Sequence, residues 1–210
     1  MTLKDLYSQF KNYELKQIFM EGDDTATGYN QSILSVMNEA VIEVYSRFGL
    51  LQDIYTYSIS KEGQNKIQIS NNIHSIIKVK KGKKGNKDSV KDIRINDNNA
   101  DQSIFTPEPF VIYDPKAKTD DIYYLMCKIL PPKIDASNIE SIDFEIPQQY
   151  VQPILYYGSY RAFSTVGSER VDSTVERKNK YEKRCLEIEN QGLVQETVQE
   201  NYKFEDRGFI

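Results

Sequence analysis

The residue types that most often do chemistry are scattered along this chain rather than gathered. His74 is the single histidine, and it lies in an apolar, strand-like stretch with no visible partner to make it a general base. It reads as a structural histidine. Cys127 and Cys185 lack the spacing of a metal or redox motif and have no local activating context, so two buried, reduced thiols are expected. The adjacent acids Asp23-Asp24, Asp120-Asp121 and Glu205-Asp206 fall in turns or near the chain end, where paired carboxylates are usually solvated rather than bound to a divalent cation. Gly82-Lys83-Lys84-Gly85 lacks the preceding strand and glycine spacing of a phosphate loop. The chain is therefore expected to have no catalytic set, no metal and no cofactor, and not to be an enzyme.

Charge points toward contact instead. Lys78 to Arg94 holds eight bases and two acids, a local net of +6 in a chain whose formal net charge is −4. Within it, Lys80, Lys81, Lys83, Lys84 and Lys87 form a candidate basic contact loop. Such a run reads either as a solvated hairpin tip or as a surface for DNA phosphates or an acidic protein. It has no interleaved aromatics, so base stacking is not supported. Between Glu182 and Asp206 there are seven acids and three bases, net −4. A basic loop and an acidic tail on one chain permit head-to-tail contact between identical subunits, and such contacts close into rings when the rotation allows.

The tail, Gln191 to Ile210, spaces Val194, Val198, Tyr202, Phe204, Phe209 and Ile210 among Glu196, Glu200, Glu205 and Asp206. It has too few apolar groups to form a core alone and too many for a solvated linker. Its expected use is to order itself on another surface, with the apolar residues supplying affinity and the charges choosing register, because exposed ion pairs contribute only ~0–1 kcal/mol each.

The elements behind these features follow from length, composition and period. At 210 residues, 39% hydrophobic and 28% charged, the chain suits one globular domain of ordinary size, or one domain with an appendage. No apolar run reaches the ~18 residues that span a bilayer, and the N-terminus lacks the apolar stretch of a secretory signal, so no membrane association is expected. Helical spacing predicts helices over 2–19, 30–48, 148–166 and 169–190, with Thr2 and Asn30 as caps. Between them, 52–146 alternates with period two in about six or seven short strands, among them Ile73–Val79, Asp92–Ile95, Phe110–Tyr113, Ile122–Leu130 and Ile142–Ile146. The expected fold class is α+β: a helical bundle from the N- and C-terminal helices, an inserted antiparallel β-sheet or small sandwich, and an extended C-terminal arm. The expected division is one domain over 1–190 and a docking arm over 191–210.

Several short motifs sit on this layout: Asn38-Glu39-Ala40-Val41-Ile42-Glu43-Val44 in the second helix, a strand ending Leu130-Pro131-Pro132, Ile146-Pro147-Gln148-Gln149-Tyr150, and Tyr157-Gly158-Ser159-Tyr160-Arg161-Ala162-Phe163. With them the chain resembles the head-to-tail adaptor (connector) proteins of tailed bacteriophages, of the short-tailed or crAss-like type. The lysine-rich run and the long tail depart from the simplest family pattern. The resemblance implies a structural virion protein at the portal–tail junction: a homo-oligomeric ring of twelve copies that joins the portal protein to tail or tail-hub proteins and helps retain packaged DNA. It implies a ring-packing helix with Tyr157, Tyr160 and Arg161, and a portal-docking arm with Val198, Tyr202, Phe204, Arg207, Phe209 and Ile210. Another tail ring or hub component, or a DNA-associated accessory protein using the lysine run, are the alternative expectations.

Overall fold

A computed structural model describes residues 1–16, 28–142, 144–164 and 171–191. The chain divides into two compact units, one from Met1–Phe48 with Pro131–Ile210 and one from Gly49–Leu130.

The first unit is helical. In α1, Leu3–Gln9, the Thr2 hydroxyl accepts from the Asp5 N–H while the Asp5 carboxylate accepts from the Thr2 N–H, both at 3.2 Å. This reciprocal cap satisfies two donors that the first turn would otherwise leave unpaired. A π-helical turn, Phe10–Glu14, continues α1 and buries Phe10 completely. The α2 helix, Gln31–Phe48, starts where the Asn30 side chain accepts from the N–H groups of Ser32 and Ile33 at 2.9 and 3.1 Å. Its stripe of Ile33, Leu34, Met37, Ala40, Val41, Val44, Tyr45 and Phe48 is buried.

The α3 helix, Gln148–Ser164, contains Pro153 in its second turn, which removes one rung of the hydrogen-bond ladder. Gly158 is required by contact: a Cβ there would lie 2.5 Å from the Phe10 ring. The α4 helix, Val171–Asn190, buries only Tyr181, Cys185 and Ile188 among its described side chains. Residues 142–146 carry no strand where they are described. Instead Ile146 exchanges backbone bonds with the chain start, accepting from the Met1 ammonium at 3.0 Å and donating to the Met1 carbonyl at 2.9 Å.

The second unit is a seven-stranded sheet: β1 Gln52–Ser58, β2 Lys66–Gln68, β3 Ile73–Lys83, β4 Asn86–Ile95, β5 Ser103–Glu108, β6 Val111–Tyr113 and β7 Asp121–Ile129. The strand order is β1-β7-β3-β4-β5-β6-β2. All neighbouring pairs are antiparallel except β4 and β5, which run parallel through Arg94↔Ser103 and Ile95↔Ile104. Inside lie Val79, Ile104, Ile112, Tyr123, Leu125 and Cys127, each wholly buried. The Tyr57 hydroxyl accepts from the Ser70 N–H at 3.1 Å and the Tyr55 hydroxyl from the Asn72 amide at 2.9 Å, so tyrosine side chains tie β1 to the segment that follows β2.

This corrects the expected fold class. The chain is mixed α/β, with four α-helices among the described residues. A nearly closed, barrel-like sheet of seven strands dominates it, not a helical bundle carrying a small antiparallel sheet or sandwich. Two features account for the difference. The lysine run is not a loop at the tip of short strands but the body of two long ones, β3 and β4, joined at Lys84-Gly85 with Gly85 at φ 80°. The second is β5, unforeseen because Asn, Asp and Pro surround its short Ile104-Phe105-Thr106 run; it lies beside β4 without a hairpin.

Candidate functional site

Strand alternation divides the lysines of β3 between two faces. Lys81 and Lys83, two residues apart, turn toward carboxylates. The Lys81 ammonium lies 2.7 Å from Asp114 Oδ2 and 2.8 Å from Asp121 Oδ2, and Lys83 lies 2.9 Å from Asp121 Oδ1. Asp114 follows β6 and Asp121 opens β7, so the cluster joins the two ends of the β6–β7 loop to β3. The side chains of Asp114 and Asp121 are only 5% and 3% exposed, which makes their satisfaction obligatory.

Backbone and phenol donors complete the set. The Lys116 N–H donates to Asp114 Oδ1 at 2.7 Å and the Lys118 N–H to Asp121 Oδ2 at 2.8 Å. The Tyr123 hydroxyl donates to Asp114 Oδ2 at 2.7 Å, and the Lys81 ammonium stands 5.3 Å from the centre of the Tyr123 ring. Two cations and two carboxylates balance. A cleft of about 610 Å³ opens beside them, lined also by Gln102, Ser103, Lys116 and Lys118.

The electrostatics fix what this cluster can do. Burial alone would lower the Lys81 pKa, but its hydrogen bonds to Asp114 and Asp121 outweigh that and hold it above the ordinary value. Burial would raise Asp121, yet hydrogen bonds from Lys81, Lys83 and the Lys118 N–H keep it below the ordinary carboxylate range. Burial pushes the Tyr123 phenol up, and its bond to Asp114 adds to the rise. Lys81 is held as a cation, Asp121 as an anion and the Tyr123 hydroxyl as a donor, so the arrangement ties β3 to both ends of the β6–β7 loop. Among the described residues no group of three or more His, Cys, Asp or Glu side chains could hold a metal.

The outer face of the same strands is different in kind. Register places Ile54 of β1 opposite Met126 of β7, which is opposite Lys78 of β3; the next row is Thr56, Tyr124 and Lys80. Ile54 is 61% exposed and Met126 37%, so directly paired apolar residues face outward beside a basic strand. Lys80 is exposed, and Lys78 reaches Asp92 of β4 at 2.8 Å.

The expected site residues thus fall in several places. Of the basic loop, Lys81 and Lys83 join the carboxylate cluster, Lys80 lies on the outer face and Lys84 is exposed at the hairpin turn, while Lys87 is on β4. On α3, the Tyr157 ring meets Tyr160 at 5.9 Å and Tyr181 of α4 at 5.1 Å, and Arg161 Nε donates to Glu39 Oε2 of α2 at 2.8 Å. Val198, Tyr202, Phe204, Arg207, Phe209 and Ile210 lie outside the described residues. His74 is exposed on β3, not enclosed by the core. Both cysteines are buried, and burial raises each thiol to about 11.

Asp114 and Tyr123 are the cluster members that sequence reasoning passed over, and Asp121, expected to be solvated, is interior. The signal was present for Asp121: it shares alternation with Tyr123, Leu125 and Cys127, the buried side of β7. Its neighbour Asp120 is exposed, at φ 70°, so the acidic pair is split between solvent and core. No helix among the described residues is long and apolar enough to cross a membrane. Neither a protein-family model nor a curated protein matches this sequence.

Proposed function

We propose that this chain is a structural virion protein, an adaptor subunit whose ring joins the portal of a tailed bacteriophage to its tail and helps retain packaged DNA. The observation that carries this reading is the placement of the Tyr157–Phe163 motif on which the family resemblance rests. It forms the C-terminal half of α3, with Gly158, Ala162 and Phe163 turned into the helical unit and Arg161 at the surface. The Arg161–Glu39 pair is half-exposed on both sides, at 44% and 48%. An exposed pair of this kind contributes little within a subunit, so Arg161 can exchange Glu39 for a neighbour's carboxylate at small cost. Tyr160, half-buried next to it, adds a large amphipathic ring of the type enriched at interfaces.

The test is co-sedimentation of the full-length protein with the portal of the same phage, together with mass spectrometry of purified particles. The expected result is a portal-bound complex, weakened by Arg161→Ala, and the protein present in mature particles at one fixed ratio to portal. Absence from mature particles, or no association with portal at low salt, would reject the proposal.

A further inference from the structure

The outer face of β1, β7 and β3 sets exposed apolar side chains beside basic ones. Ile54 and Met126 are cross-strand partners, both exposed, with Tyr124 in the next row and Lys78 and Lys80 on the adjoining strand. With Asp92 paired to Lys78, the charge left on this face is positive. Two such faces would repel each other, so a symmetric face-to-face dimer is disfavoured. The occupant has to be apolar and acidic.

The chain supplies a segment of that chemistry. Residues 194–206 carry four acids and one base, net −3, and every second position is apolar or acidic: Val194, Glu196, Val198, Glu200, Tyr202, Phe204 and Asp206, alternating in type except between Tyr202 and Phe204. In a helix the valines and glutamates would fall on opposite sides. Drawn out as a strand, all seven would share one face, at about 7 Å intervals. A strand crossing from β1 toward β3 would set an apolar side chain over Ile54 and Met126 and the acid two places on over Lys78 or Lys80, since neighbouring strands lie about 4.8 Å apart. Twenty residues follow Asn190, the end of α4, a reach of up to about 65 Å when extended.

We infer that the outer face of β1, β7 and β3 is the docking site for residues 194–206 of a neighbouring copy, in an extended conformation. The inference rests on the ring reading in requiring an adjacent subunit. Docking of this kind is heterologous: the donor uses its tail and the acceptor its sheet, so each subunit is both, and a ring closes the series.

The experiment mixes two full-length variants with differently sized tags, Ile54→Cys and Tyr202→Cys, under mild oxidation. Ile54 is largely exposed, and the native Cys127 and Cys185 are buried, so the new thiols report the contact. A disulfide-linked dimer bearing both tags is expected, with its yield reduced about tenfold when Lys78 and Lys80 are both changed to Glu in the acceptor. No mixed dimer would overturn the inference. So would a cross-link formed only within one chain of the Ile54→Cys/Tyr202→Cys double variant, or a yield unaffected by the charge reversals. Ring formation with portal is read separately by electron microscopy. A mixed dimer without a ring removes the adaptor reading and leaves the docking, whereas a ring without a mixed dimer removes the docking alone.

Discussion

The helical unit and the sheet unit treat buried charge in opposite ways. In the helical unit the core is apolar and the ion pairs stay at its rim: Glu14 with Arg177, Arg47 with Glu182 and Glu189, Arg161 with Glu39, with side-chain exposures from 24% to 48%. In the sheet unit a lysine and two aspartates enter the interior, with exposures of 17%, 5% and 3%. The difference teaches which interactions can be removed cheaply. A rim pair trades solvent for a partner and back again; the nearly buried aspartates of the interior cluster have little solvent to return to.

The largest expected effect follows directly. Lys81→Met leaves Asp114 and Asp121 short of their shared cation and should destabilise the protein by about 3–5 kcal/mol, measured by urea denaturation. A loss no larger than that of a rim variant such as Arg161→Ala would erase the distinction between the units.

The same cluster sets a pH dependence. Hydrogen bonds hold Asp121, against the opposing effect of burial, below its ordinary 3.8. Its contribution is therefore complete above the unfolded carboxylate value and fades as pH falls through the lower folded one. Lys81 runs the other way. It is held above its ordinary 10.5 although burial opposes this, so its contribution is complete below that value and fades as pH rises through the folded one. Urea midpoints followed against pH should show a plateau through neutrality that falls at both ends. Lys81→Met should shrink the alkaline fall, the rest of which comes from the phenols and thiols that burial also raises; a wild-type plateau without either limb would contradict the assignment.

Smaller effects sharpen the helical side. Gly158→Ala forces a Cβ to within 2.5 Å of Phe10 and should cost about 1–3 kcal/mol by overpacking, seen as a lower thermal midpoint in circular dichroism. Asn30→Ala removes the acceptor for two N–H groups at the start of α2 and should cost about 1 kcal/mol in the same measurement. Smallest of all, Lys80→Ser, one residue from Lys81 on the opposite face, should change stability by less than about 0.5 kcal/mol. The contrast between Lys80 and Lys81 isolates the face of the strand as the cause.

This contrast also explains what could be read from the sequence. The helix α2 was legible because its apolar residues recur at helical spacing and Asn30 stands at its start. The strands around Tyr55, Ile67 and Leu125 were legible from period two. The lysine run was not, because hydrophobic patterning treats every lysine alike, whereas the strand sends Lys81 inward and Lys80 outward. What turns Lys81 inward is the presence of Asp114 and Asp121, more than thirty residues away along the chain. The acidic pair Asp120-Asp121 misled for the same reason: only pairing to β3 reveals that one of the two is interior. The parallel β4–β5 pair has no hairpin signature, so β5 was not among the six or seven strands expected. On α3, the Tyr-Gly-Ser-Tyr-Arg-Ala motif marked a helix, but not that Tyr157 and Arg161 already have partners on α4 and α2.

Electron microscopy of the protein incubated with the portal proposed as its partner is the decisive measurement. A closed ring seated on the portal is expected, with the α3 surface carrying Arg161 at the contact between adjacent subunits. Portal particles left bare at saturating protein, or a ring whose subunits meet elsewhere with Arg161 facing solvent, would contradict the adaptor reading.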